Sequence, residues 1–144
     1  MARGIETTGG VLARPKVSKK AIRKAMLGNV ELRLLNVKRT GNGVKFYMIA
    51  TNNGGKEVRL GTYPCHCYLY DDLANKYRAD RACVGTDCES GGFTADDTII
   101  PGVSIKMSVY FKDISPQASV GTLEMNLKIG KSEGKVIFRN ISIK

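Results

Sequence analysis

All four cysteines and the only histidine of this 144-residue chain fall in one stretch, as Cys65-His66-Cys67 and Cys83-Val-Gly-Thr-Asp-Cys88. Clustered thiols beside an imidazole can form disulfides, hold a soft metal such as zinc, or cycle as a redox dithiol. An even cysteine count in a small exported domain reads first as two disulfides, which would staple residues 71–97 and contribute roughly 2 to 4 kcal/mol each. In an extended segment Cys65 and Cys67 share a strand face while His66 points to the other, and a bridge between these two neighbours would be strained. The pairing expected is therefore from Cys65 and Cys67 to Cys83 and Cys88, in either of its two arrangements. Structural zinc favours Cys-x-x-Cys knuckles, a spacing that neither cysteine pair has. A redox role for Cys65 and Cys67 needs a depressed thiol pKa, for which only Lys76 and Arg81 stand nearby. No metal and no cofactor is expected.

The carboxylates offer less. Asp71, Asp72 and Asp80, with Asp96 and Asp97, carry calcium-type oxygen ligands, but their spacing matches no calcium loop. Asp96 and Asp97 with Glu89 or Asp87 could supply the paired carboxylates of a glycosidase, but adjacent residues on a strand point apart, and no cleft lined with aromatics accompanies them. One histidine, and no nucleophile elbow, phosphate loop or zinc-protease motif, removes most enzyme classes. A non-enzymatic protein is the expectation.

Charge is unevenly placed. The whole chain carries +10, of which residues 1–40 hold +8 and the remaining 104 residues only +2. Residues 71–97 reverse the sign to −4. The basic front end, with Arg14, Lys16, Lys19, Lys20, Arg23 and Lys24, is a candidate for binding an anionic partner through salt-sensitive attraction.

The elements that position these groups change character at residue 28. Met1 to Val17 has Gly9-Gly10, Pro15 and no periodicity, and reads as a flexible lead-in. Ser18 as an N-cap, helix formers through Leu27 and Gly28 as a stop predict a short helix over about 18–27. From Asn29 to the end, a second region alternates with period two. Strands are expected at Val30–Lys38 and Val44–Asn52, paired through the Thr40–Gly43 turn, and at Val58–Gly61, His66–Asp71, Ser104–Phe111, Thr122–Ile129 and Lys135–Ile143. In the last of these, Val136 and Phe138 are out of phase with Ile141 and Ile143, which predicts a bulge near Arg139 and Asn140. Seven or eight strands without βαβ alternation make an all-β, antiparallel β-sandwich over 29–144. At this length the domain builds a core of its own, and no apolar run approaches the roughly 20 residues of a membrane span.

Several phrases together resemble a known family. Tyr47-Met-Ile-Ala-Thr-Asn-Asn53, Lys56-Glu-Val-Arg-Leu60, Leu69-Tyr-Asp-Asp-Leu-Ala-Asn-Lys-Tyr77, Ile99-Ile-Pro-Gly-Val103 and Ser108-Val-Tyr-Phe111 are similar to the telokin-like, immunoglobulin-type sandwich domains of bacterial exported proteins and lipoproteins. The resemblance spans Val30 to Ile143, implies an immunoglobulin-like sandwich outside the cytoplasm (periplasmic, cell-envelope or secreted), and carries no catalytic residues. It does not account for the cysteine-rich 65–88 region. Residues 1–10 lack the apolar stretch of a secretory signal, so the sequence fits either a cytosolic protein or a mature segment whose leader has been removed. The reading is a binding module for a protein partner, with self-association through edge strands as a further mode. Tyr68 and Tyr70, on one strand face, are the candidate contact platform. The alternative is a cytosolic zinc-stabilised module whose basic arm holds nucleic acid.

Overall fold

The computed structural model describes residues 23–144, and these form eleven strands in two antiparallel sheets. The strands are β1 (Arg23–Leu27), β2 (Val30–Thr40), β3 (Gly43–Asn52), β4 (Val58–Asp71), β5 (Lys76–Arg78), β6 (Arg81–Val84), β7 (Asp87–Ser90), β8 (Ala95–Ile99), β9 (Ser104–Phe111), β10 (Val120–Ile129) and β11 (Ser132–Ser142). One sheet runs β1-β2-β3-β9-β6-β7 and the other β11-β10-β4-β5, with β8 paired to the first half of β4. The protein is a β-sandwich.

Period-two alternation builds the core as expected. Leu32, Leu34, Phe46, Met48, Met107, Val109 and Phe111 face inward from the six-stranded sheet and are buried. Leu60, Leu69, Leu123, Met125, Leu127 and Phe138 meet them from the other sheet. Phe46 and Phe111 pack edge to face, ring centroids 5.7 Å apart and planes at 87°, the arrangement their quadrupoles favour.

The predicted bulge is present. Gly121 pairs with Ile141 and Leu123 with Phe138, so Arg139 and Asn140 together oppose Thr122, and Asn140 takes a positive φ of 56°. That extra residue brings Ile141 and Ile143 back into the core after Phe138.

The N-terminal helix is not what residues 23–27 form. They are β1, paired residue for residue with Val30–Leu34 through a two-residue turn at Gly28-Asn29. Gly28, at φ +59°, is the first turn residue of a hairpin rather than the end of a helix. Ala25 and Leu27 turn toward the core, and Leu27 lies against Gly134 of β11, so β1 covers that sheet edge. The sandwich therefore begins no later than Arg23; residues 18–22 of the expected helix lie outside the described residues.

Eleven strands replace seven or eight. Val58–Gly61 and His66–Asp71 are one strand interrupted by a wide excursion, in which Tyr63 to His66 together oppose Asn126 alone. The chain between the expected strands His66–Asp71 and Ser104–Phe111 contains β5, β6, β7 and β8.

Candidate functional site

The cysteines divide. Cys83 and Cys88 are directly opposed on β6 and β7 and form a disulfide five residues apart in sequence. Cys65 and Cys67 are free thiols. The expected cross-links between the two pairs do not form because the side chains face different places. Cys67 points into the sandwich, whereas the Cys83–Cys88 bridge lies on the outer face of the six-stranded sheet, beside Ser108 and Arg81. The β6–β7 turn is Gly85-Thr86, with Gly85 at φ +59° and pressed against the Asp97 carboxylate, which leaves no room for a side chain.

Cys67 is unsuited to thiolate chemistry. Burial pushes its thiol up to about 11, far from the depressed values of reactive cysteines. Its Sγ donates to Tyr63 O at 3.4 Å and lies 3.3 Å from Thr62 Oγ1, which itself donates to Asn126 O at 2.9 Å. These bonds close the neck of the Tyr63–His66 excursion. At its tip the Cys65 amide donates to Gly91 O at 3.0 Å, and the exposed His66 ring sits 5.3 Å from that of Tyr63. Among the described residues, no group of three or more His, Cys, Asp or Glu side chains comes together to hold a metal ion. The four-thiolate zinc set is broken up by the disulfide.

Of the basic arm, Arg14, Lys16, Lys19 and Lys20 lie outside the described residues. Arg23 and Lys24 are in β1. The Arg23 guanidinium donates to Asn140 O at 2.8 Å, and Lys24 points outward with its Nζ 3.9 Å from Glu31.

Lys24 belongs to a larger feature that composition did not reveal. Strand register turns Lys24, Arg33, Lys38, Lys45, Arg81 and Lys106 to the outer face of the six-stranded sheet, where Glu31 is the one outward carboxylate of its strands. Glu31 is shared between Lys24 and Arg33, at 3.9 and 4.0 Å. Among the described residues no carboxylate pairs with Lys38, Lys45, Arg81 or Lys106. Arg33 Nε is buried without a hydrogen-bond partner there. On this face a cleft of about 480 Å³ is lined by Thr40, Lys45, Tyr47, Arg81, Ser108 and Tyr110, with the disulfide as one wall. Ser108, small and buried, opposes both Tyr47 and Cys83 at the floor.

The tyrosine platform lies on the opposite side of the molecule. Tyr68 and Tyr70 are half-buried on the outer face of the five-stranded sheet, and Lys76 Nζ sits 4.3 and 5.4 Å from their ring centroids. Tyr70 donates its hydroxyl to Glu124 Oε1 at 2.7 Å, and Lys135 reaches Glu124 Oε2 at 3.0 Å. The Tyr70 hydrogen bond and Lys135 hold the Glu124 carboxyl below its ordinary range. These groups satisfy one another, and the platform's cations are already engaged.

The aspartates act as local clamps rather than as a cation cage. Asp71 Oδ1 accepts the Leu73 and Asn75 amides at 2.9 and 2.8 Å, and Oδ2 accepts Asn75 Nδ2 at 3.0 Å and the Tyr77 hydroxyl at 2.7 Å. Asp72 accepts from Ser119, Asp96 from Arg59 at 2.7 Å, and Asp97 from the amides of Thr86 and Thr98. Burial raises the Asp71 carboxyl, but the bonds from Tyr77, Asn75 and Leu73 outweigh it and leave the group below its usual 3.8. A carboxyl depressed in the folded state contributes stability that is complete above the unfolded value and is lost as pH falls through the folded one. Urea midpoints at about pH 6 and about pH 3 test this: Asp71→Asn is expected to lower stability by about 1 kcal/mol at the higher pH and to lose less than the parent on acidification. Equal acid losses in the two proteins would remove Asp71 from the acid sensitivity.

No protein-family model matches the chain, and no curated protein matches it. Solved structures similar to it include the yjhA protein from Bacillus subtilis, at 14% identity over 72% of this chain and 77% of that one, TM-score 0.48. An uncharacterised β-sandwich protein from Clostridium difficile 630 is 15% identical over 87% of this chain and 98% of that one, TM-score 0.46. A PapD-like domain of human CEP192 is 14% identical over 88% of this chain and 98% of that one, TM-score 0.42.

Proposed function

We propose that this chain is a non-enzymatic binding module that works outside the cytoplasm and engages an anionic partner through the outer face of its six-stranded sheet. The observation that carries this reading is the outward turn of Lys24, Arg33, Lys38, Lys45, Arg81 and Lys106 on one continuous surface against Glu31 alone. Cations on such a surface raise the local concentration of an anionic macromolecule and speed its docking. The Cys83–Cys88 bridge fits an oxidising compartment, where bonds of this kind persist. The telokin-like, immunoglobulin-type affiliation suggested by the Val30–Ile143 motifs agrees with that setting and with the absence of a catalytic role.

The test compares two charge reversals in the whole chain with dextran sulfate as probe. Lys38→Glu, Arg81→Glu and Lys106→Glu together are expected to abolish salt-sensitive binding. Lys76→Glu, Arg78→Glu and Arg139→Glu, the same change in net charge on the other sheet, are expected to leave most of it. Equal losses from both sets would mean that net charge alone attracts the probe, and the reading would fall. Protein recovered from its native compartment should carry one disulfide and two alkylatable thiols; four alkylatable thiols would remove the extracytoplasmic part.

A further inference from the structure

The outward cations of the six-stranded sheet are ordered in two rows that cross the strands. Lys38, Lys45, Tyr110 and Arg81 are opposed in turn on β2, β3, β9 and β6. Lys24, Arg33, Ile49 and Lys106 are opposed in the same way on β1, β2, β3 and β9. Lys45 and Arg81 therefore stand two strands apart, about 10 Å at ordinary strand spacing, with Tyr110 between them in register and its ring laid over Gly43. Arg33 and Lys106 repeat the arrangement around Ile49, roughly 13 Å away along the strands.

Three features say what chemistry this pattern takes. First, the charge is unevenly spaced: Lys38 and Lys45, and Lys24 and Arg33, are direct neighbours, but neutral Tyr110 separates Lys45 from Arg81 and Ile49 separates Arg33 from Lys106, whereas duplex DNA presents one phosphate charge per about 1.7 Å of axis. A polymer with one carboxylate per disaccharide spaces its charge on the scale of the rows. Second, the cleft between Lys45 and Arg81 is lined by the hydroxyl-bearing side chains of Thr40, Tyr47, Ser108 and Tyr110. Neutral donors and acceptors suit sugar hydroxyls, and tyrosine rings suit the apolar faces of sugar rings. Third, Arg81 is exposed and free of any carboxylate among the described residues, so its planar guanidinium can grip a carboxylate with two parallel hydrogen bonds.

We infer that the face binds an acidic polysaccharide laid across the strands, with a uronate carboxylate between Lys45 and Arg81 in the Tyr47–Tyr110 cleft. The disulfide gives the cleft a fixed wall, because it ties β7 to the strand that carries Arg81. This inference rests on the reading of the six-stranded face as an anion-binding surface and adds the ligand class and the subsite.

The test uses the whole oxidised chain and three probes: a hyaluronan oligosaccharide, a single-stranded oligonucleotide of equal charge number, and phosphatidylglycerol vesicles. The oligosaccharide is expected to bind more tightly than either competitor at physiological salt. Lys45→Gln with Arg81→Gln should weaken its binding by about tenfold or more, and Tyr47→Ala should weaken it at unchanged charge. Lys131→Gln, in the β10–β11 turn, should change nothing. Equal or tighter binding of the oligonucleotide or the vesicles, lost with the same cations, would overturn the polysaccharide assignment and leave the anion-binding reading standing. Unchanged oligosaccharide binding in the cleft variants would overturn the subsite. Failure of all three probes to bind would overturn this inference and the reading beneath it.

Discussion

Asn52→Asp is expected to destabilise the sandwich by about 4 kcal/mol, more than the roughly 3 kcal/mol expected for Asn52→Ala, although it changes one atom. Asn52 is 1% exposed at the end of β3, and its amide makes three bonds. Nδ2 donates to Lys56 O and to Ile99 O, both at 2.8 Å, while Oδ1 accepts the Gly54 amide at 2.9 Å. One side chain thus fixes the β3–β4 turn and ties it to the end of β8. Alanine removes the bonds and leaves a buried carbonyl without a donor. A carboxylate in the same place would turn an acceptor toward two carbonyl oxygens in a site closed to water. Such a group is driven toward its protonated form, its folded pKa lies above its unfolded one, and its penalty therefore grows as pH rises above about 4. Urea denaturation of both variants at about pH 4 and about pH 7 checks the sign: the aspartate variant should lose stability relative to the alanine variant as pH rises. A constant difference would show that the site is open to water.

Period-two alternation marked every long strand, and the phase break between Phe138 and Ile141 located a bulge, because burial forces side-chain parity to be restored. A second bulge at Leu35 left no such trace. Leu34 and Leu35 are both apolar, and only register shows that Leu35 is the residue squeezed outward, 49% exposed. The stretch 76–99 looked like an acidic connection because its strands are three to five residues long. Their inward positions are held partly by small residues, Ala82 and Ala95, whose alternation is weak against so many carboxylates.

The N-terminal region failed differently. Residues 23–27 combine helix formers with an alternation that the apolar, outward-facing Met26 blurs, and Gly28 serves a helix end or a hairpin equally well because both need a positive φ. Pairing with β2 decides between them, and that is a tertiary fact. The candidate face was hidden for a related reason. Its cations come from five strands spread between residues 24 and 106, so no local window contains the patch. The cysteine cluster was conspicuous in sequence, yet sequence proximity could not say which thiols share a face of the sandwich.

Arg39 was counted with the basic front end, but its charge is used inside the fold. It occupies an inward position at the end of β2, opposite Val44, where alternation calls for an apolar residue. Its guanidinium instead reaches the bottom of the sandwich and donates to Ile143 O at 2.9 Å and Ser115 O at 2.8 Å, with longer contacts to Ala118 O at 3.4 Å and Ile114 O at 3.5 Å. One cation thereby fastens the β9–β10 connection to the chain end beyond β11. Bonds to a charged donor are worth more than neutral ones, and several of these lie in partly buried surroundings. Arg39→Ala is expected to cost about 3 kcal/mol in urea denaturation. Arg39→Met, which retains the apolar stem, separates packing from hydrogen bonding and should recover less than half of that loss. Arg39→Lys keeps the charge but cannot reach carbonyls on both segments with one ammonium, so it should fall between the methionine variant and the parent. Full recovery by methionine would make the stem, not the guanidinium, the stabilising part. Because Arg39 lies at one end of the sandwich and donates inward, binding of anionic probes should be unchanged in every folded Arg39 variant. The cations of the outer face, by contrast, should alter binding with little effect on stability, since exposed charges on a sheet surface contribute little to folding. That opposite pattern separates basic residues that build the fold from those left free for a partner.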